Sequence, residues 1–320
     1  MRGRALAVVL VVLVVMCFLA LAWAGMKHAW RDTLDTVGWG MSWYEISRDS
    51  RTFDLADAKT IVIENRFGDV EVLPGGPGVA VQTIIRAQGK DLADARRRAR
   101  DARLVGAAGP MGVLKIVGLP EGADHHVRMN LTVYAPSEVA IDVKATAGGM
   151  TVTGRQAPVS LDACAGDIEV TGCGGPVKVS ALAGSVRITS ARAGATVNSK
   201  AGDIRIDGAQ GPLSIDSRAG QAILQGIRSD QVNVSVACGD IRIEFAEPFS
   251  GTLTADSSAG SITIAVPRGS RARVITDATV GTIQDNLTSA VLTREGPGLI
   301  EARTSAGSIT LQEASPSSSD

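Results

Sequence analysis

VSLDACAGDIEVTGCGGPVKVSALAGSVRITSARAGATVNSKAGDIRI, residues 159–206, holds three copies of one short motif. Each copy is a small residue, Gly, Asp or Ser, an aliphatic residue, any residue, and a second aliphatic. AGDIEV from Ala165, AGSVRI from Ala183 and AGDIRI from Ala201 lie 18 residues apart. Outward from this stretch the motif recurs as CGDIRI from Cys238, AGSITI from Ala259 and AGSITL from Ala306. The signature glycines are Gly148, Gly166, Gly184, Gly202, Gly220, Gly239, Gly260, Gly281 and Gly307, with an outlying match at Gly68. From Gly148 the spacings are 18, 18, 18, 18, 19, 21, 21 and 26. A fixed period in this range marks a solenoid, in which each repeat buries its apolar face only against its neighbours.

With each glycine set to zero, positions −7, −5 and −3 read Val159, Leu161, Ala163; Val177, Val179, Ala181; and Val232, Val234, Val236. Positions +2 and +4 read Ile168, Val170; Ile204, Ile206; Ile241, Ile243; and Ile309, Leu311. Period-2 alternation means strands with one face inward. The glycine supplies the φ > 0 conformation of a sharp corner, and the Asp or Ser after it bonds corner backbone. A second corner is marked by Gly172 to Pro176 and by Gly208 to Pro212. The pattern predicts an all-β parallel β-helix of 18-residue coils. About nine coils at about 4.8 Å would stack to a length on the order of 45 Å. The crossover preference favours the right hand; a left-handed β-helix accommodates the same period.

Ala5 to Ala24 carries no charge, and twenty residues span about 30 Å as a helix. Residues 1–27 therefore read as a membrane anchor. Ala22-Trp23-Ala24 also has the form of a signal-peptidase site. Trp23, Trp30, Trp39 and Trp43 cluster here with Tyr44, and Trp30, Leu34, Val37, Met41 and Tyr44 fall on one helical stripe. Residues 28–58 thus read as a juxtamembrane linker, either interfacial, where Trp and Tyr concentrate, or packed on the solenoid. Residues 59–313 read as the β-helix, with a helical insertion at 89–105 (the stretch Asp91 to Leu104) acting as a cap, and 314–320 as a disordered polar tail.

The N-terminal segment, the early NRFGDVEV, the YAPSEVAIDVKATAGGMTV lead-in from Tyr134 and the serial AGD-I-x-V copies together resemble the bacterial putative-adhesin family of β-strand-repeat proteins, a domain of unknown function. That resemblance implies a right-handed β-helix-like fold outside the cytoplasm and kinship with proteins encoded beside envelope-stress sensors. It brings no catalytic residues.

Composition narrows the function further. Lys+Arg number 32 against 33 Asp+Glu, without a basic, aromatic-laced stretch, so nucleic acid is not an expected partner. Asp167, Asp203 and Asp240 share position +1 but lack the G-G-x-G-x-D density of calcium-binding rolls, and read as corner caps. His125 and His126, adjacent on a strand, would face opposite ways. Cys164, Cys173 and Cys238 form no C-x-x-C framework. No catalytic, metal or cofactor site is expected. The expected partners are the membrane and an envelope or surface protein or glycan, bound by contact. A regulatory role through a membrane partner is the alternative, and a carbohydrate-active β-helix enzyme the remote one. If Ala5 to Ala24 stays in the membrane, mass spectrometry should find the intact N-terminus; a chain starting at Gly25 would mark a cleaved signal instead.

Overall fold

The computed structural model describes residues 41–314, except 56, 110–111 and 120–124. The anchor Ala5 to Ala24, Trp23, Trp30, Trp39 and the tail 315–320 lie outside the described residues. The chain is all-β and solenoid-like, with mostly parallel strands in two sheets. It divides into two compact units, one holding the described residues up to Ala195 and one those from Thr196.

The first unit contains β1 (Ser42–Phe53), β2 (Thr60–Phe67), β3 (Val70–Pro74), β4 (Val79–Gly89), helix α1 (Leu92–Arg98), β5 (Val105–Gly109), β6 (Val113–Val117), β7 (Val127–Ala135), β8 (Ala140–Ala147), β9 (Met150–Thr153), β10 (Val159–Ala165), β11 (Ile168–Cys173), β12 (Val177–Ala183) and β13 (Val186–Ala191). One sheet runs β1-β4-β7-β3-β9-β11-β13 and the other β12-β10-β8-β2-β6-β5. After β14 (Ala195–Ser199), the second unit contains β15 (Ile204–Asp207), β16 (Leu213–Ala219), β17 (Ala222–Ile227), β18 (Gln231–Cys238), β19 (Ile241–Phe245), β20 (Thr252–Ala259), β21 (Ile262–Val266), β22 (Ser270–Val280), β23 (Ile283–Asp285), β24 (Leu292–Ala306) and β25 (Ile309–Glu313). Its sheets run β15-β17-β19-β21-β25-β23 and β16-β18-β20-β24-β22.

Like strands stack in parallel and in register. Val159, Leu161 and Ala163 pair with Val177, Val179 and Ala181, and Ile241 and Ile243 with Ile262 and Ile264. The aliphatic columns are buried in every coil but the Gly281 coil, where Val274 is half-buried and Ile283 exposed. Each such side chain contributes about 1.5–3 kcal/mol on full burial.

The corners explain the invariant glycine. All ten signature glycines have positive φ, from 115° at Gly68 to 154° at Gly260 and Gly307. A Cβ on Gly166 would lie 1.9 Å from the Gly148 carbonyl oxygen, and one on Gly260 would lie 2.0 Å from that of Gly239. A hydrogen takes that place, so successive glycines stack Cα–H on C=O, a weak hydrogen bond repeated along the ladder. On either side the glycine N–H donates to the residue before the next glycine, as Gly166 N does to Ala183 O at 3.0 Å. The +1 side chain then reaches across to the next coil. Asp167 Oδ1 accepts from Ser185 N at 2.9 Å, Asp203 Oδ1 from Gln221 N at 2.9 Å and Asp240 Oδ1 from Ser261 N at 2.7 Å. These aspartates cap the corner of the neighbouring coil.

The structure adds one finding and corrects two expectations. First, coils do not stack in chain order at the C-terminal end. β24 and β25 insert between the Gly260 coil and the Gly281 coil, so the glycine order is Gly260, Gly307, Gly281. The +4 position of the Gly281 coil is Asp285, where the other coils place Val, Ile or Leu. A carboxylate sandwiched there would be desolvated without a partner. Ile309 and Leu311, both fully buried, take the inner place and the Gly281 coil lies outermost.

Second, part of the expected linker 28–58 is a strand. β1 pairs antiparallel with β4 from Ser42↔Gly89 to Phe53↔Val79, so the helical stripe does not extend to Tyr44. Pairing gives this backbone partners that an isolated, Gly-interrupted helix cannot supply. Third, α1 ends at Arg98, short of Leu104. The chain must turn there to bury Leu104 and start β5. Most of the cap is strand. Between the stacked Gly68 and Gly148, the insertion adds β7 beside β3 and β6 beside β2. Phe53 of β1 lies against Gly106 of β5, whose Cβ would be 2.1 Å from the ring, and Arg51 Nη1 donates to Leu104 O at 3.0 Å.

Gly260→Ala should lower stability by about 2–4 kcal/mol through strain and overlap. Gly76→Ala, where an added Cβ meets nothing within 4 Å, should change it by less than about 0.5 kcal/mol. Denaturant melts of the two variants check this, and equal shifts would refute the ladder.

Candidate functional site

The inward columns leave the outward positions of each strand polar, and register sets which of them meet. In the second unit Ser235 pairs with Asp256, Asp256 with Arg303 and Arg303 with Asp277. Four strands that are distant in sequence thus present one row, Ser235–Asp256–Arg303–Asp277. Ser258, Ser305 and Thr279 lie two residues further along these strands. Together they line a shallow groove of about 280 Å³.

Among the described residues, Arg303 is the only cation lining the groove. Its Nη2 donates to Glu301, and its Nη1 lies 3.9 Å from Asp256 Oδ1. These contacts hold the guanidinium between two carboxylates. Beneath the row, Thr304 Oγ1 donates to Gly260 O at 2.9 Å and Ser257 Oγ to Gly239 O at 3.2 Å. The inward hydroxyls are thereby spent on the glycine ladder, while the outward ones face solvent. The groove offers carboxylate acceptors, hydroxyls of either sense and one fork-shaped donor, a set suited to hydrogen-bonding a polar, hydroxyl- or amide-rich surface.

The residues singled out in the sequence fall elsewhere. The ten glycines are corner residues. Of the interface aromatics, Trp43 and Tyr44 are described. Both lie on β1, and the Arg128 guanidinium sits 4.6 Å from the centre of the Trp43 ring. His125 and His126 precede β7 in a turn with ring centroids 4.0 Å apart, not on opposite faces. His126 Nδ1 is 3.0 Å from Gln88 Oε1.

Two buried polar residues escaped sequence reasoning. Asn65 donates through Nδ2 to Gly68 O at 3.1 Å and Met129 O at 2.8 Å, tying the insertion to the first coil. Arg155 is wholly buried. Its Nη1 donates to Ala135 O at 2.9 Å, and its Nη2 to Pro136 O at 2.5 Å and Val139 O at 2.7 Å. It clamps the turn through which the insertion rejoins the coils. Burial lowers the Arg155 pKa, opposed by Cys173 and Glu138. Burial likewise raises that of the Cys173 thiol, opposed by the Arg155 backbone N–H and charge. A thiol so raised stays neutral and inert.

Arg155→Met keeps the bulk and removes the donors. Its three carbonyls would be left without them, and stability should fall by about 2–4 kcal/mol in denaturant titration. An unchanged midpoint would mean that the clamp carries nothing.

Residues 116–286 match the sequence profile of the family described as Toastrack DUF4097. No curated protein matches the chain significantly. Among solved structures, a putative adhesin from Bacteroides fragilis NCTC 9343 is 13% identical over 83% of this chain and 97% of its own, with a TM-score of 0.41. A putative adhesin from Parabacteroides merdae ATCC 43184 is 12% identical over 84% and 97%, with a TM-score of 0.36.

Proposed function

The chain belongs to the Toastrack DUF4097 family, and on that premise we propose a non-enzymatic, adhesin-like protein that acts by surface contact outside the cytoplasm. In this reading Ala5 to Ala24 anchors it in the membrane. The coils form a right-handed β-helix, and the partner is an envelope or surface protein or glycan. The observation that carries the reading is the cross-strand row Ser235–Asp256–Arg303–Asp277. Ser235, Asp256 and Arg303 stand on strands whose other face is packed into the inward columns. Donors and acceptors held on rigid elements lose little entropy on binding. A shallow, polar and wide surface of this kind suits a macromolecular face better than a small molecule, which favours an enclosed apolar pocket.

The test is binding of the purified chain to envelope fractions from its own host. The double variant Asp256→Ala/Arg303→Ala should weaken binding at least about tenfold, equivalent to about 1.4 kcal/mol. Lys178→Ala, in the other unit, should leave it unchanged. Binding by the double variant equal to that of the parent would overturn the assignment of the groove.

A further inference from the structure

Beyond surface contact, the geometry points to a second binding face: we propose that the outermost coil, Ser270–Asp285, pairs edge to edge with the same coil of a second copy of this chain. Among the described residues β22 pairs only with β24, and β23 only with β25. Their far edges therefore present a row of backbone N–H and C=O groups. Natural sheets blunt such edges with charges, bulges or covering segments. The edge strand of the first unit does so: β1 carries a register shift between Glu45 and Ser47 and exposes Arg48, Asp49 and Arg51. The outermost coil likewise shifts register, between Arg271 and Ala272, and exposes Arg271, Arg273 and Asp277, but it adds apolar surface at the edge: Ile275 is 42% exposed, Val280 57% and Ile283 45%.

The occupant follows from the sequence of β22. Arg273-Val274-Ile275-Thr276-Asp277 is self-complementary about Ile275. If two copies of β22 run antiparallel with Ile275 opposite itself, Arg273 of each faces Asp277 of the other, and Val274 faces Thr276. Paired residues share a face of the sheet, so Arg273, Ile275 and Asp277, all exposed, meet on the outer side. The half-buried Val274, Thr276 and Ala278 meet on the inner side and continue the core columns. Neither Arg273 nor Asp277 has an ion-pair partner among the described residues. A shift by one residue would break both ion pairs and turn every side chain to the other face. Two opposite-charge pairs flanking a central isoleucine give a closed, isologous contact, which completes itself at two copies.

The test uses the full chain in detergent, with sedimentation reporting mass and oxidation reporting proximity. In the dimer the two Cα atoms of residue 275 lie about 4.5–5.5 Å apart, within disulfide range. In a Cys164→Ser background, Ile275→Cys should cross-link to a covalent dimer. Arg271→Cys, roughly 27 Å from its counterpart in this register, should give no more than the background. Arg273→Asp sets like charges face to face and should weaken the dimer at least tenfold, as should Asp277→Arg. The double exchange Arg273→Asp/Asp277→Arg should restore it. A monomeric parent, a dimer indifferent to the single exchanges, or equal cross-linking at both cysteines would overturn the proposal, and a monomer that captures a different strand would do so as well.

Discussion

A carbonyl oxygen about 2 Å from where a side chain would begin is the constraint on which the other features depend. At Gly148, Gly166 and Gly184 in the first unit, and at Gly220, Gly239, Gly260, Gly307 and Gly281 in the second, the glycine of one coil rests on the carbonyl of the glycine stacked beside it. Only a residue without Cβ fits, and only at positive φ can the backbone turn there. The contact fixes the separation of neighbouring coils at the corner. The corner in turn fixes the phase of the strands on either side, because a one-residue slip would move the glycine off the ladder. Register follows from sterics at one column, and the burial of every aliphatic column follows from register. The +1 aspartates add a charged acceptor to the same seam and tie each corner to the next.

A stack fixed in this way must still end, and each unit ends in its own way. Below the first coil the insertion supplies β7 and β6 as further parallel strands. Antiparallel pairing continues through β4 and β5 of the insertion and through β1, which precedes the first coil, with Phe53 and Leu104 closing the apolar interior. In the second unit the chain moves its least apolar coil outward and fills the place beneath with its last one. That exchange brings Arg303 between Asp256 and Asp277. Without it no row of this composition would exist, so the constraint that ends the core also builds the polar groove.

The glycine column, the aliphatic columns and the corner aspartates were legible in the sequence because each repeats at a fixed interval, and periodicity survives without any knowledge of contacts. The stacking order of the last coils was not legible as a period. Asp285 at a position reserved for aliphatics was the sign, and it acquires meaning only once desolvation is weighed. β1 was obscured by tryptophans and by Trp30, Leu34, Val37, Met41 and Tyr44 at helical spacing, a pattern that pairing with β4 overrides at Tyr44. Arg155 and Asn65 could not have been found, since their partners are backbone carbonyls that only the fold brings near. The groove was equally hidden: its residues come from four strands, and their adjacency depends on the permuted order.

The central claim is that the glycine ladder sets the coil order, including the inversion at its end. Methyl-labelled isoleucine resonances test it directly. Ile309 pairs with Ile262 on one side and Ile283 on the other. The account predicts nuclear Overhauser contacts from the Ile309 δ-methyl to those of both Ile262 and Ile283, and none between Ile262 and Ile283 themselves. A direct contact between Ile262 and Ile283, with Ile309 beyond them, would mean that the coils stack in chain order and would contradict the account.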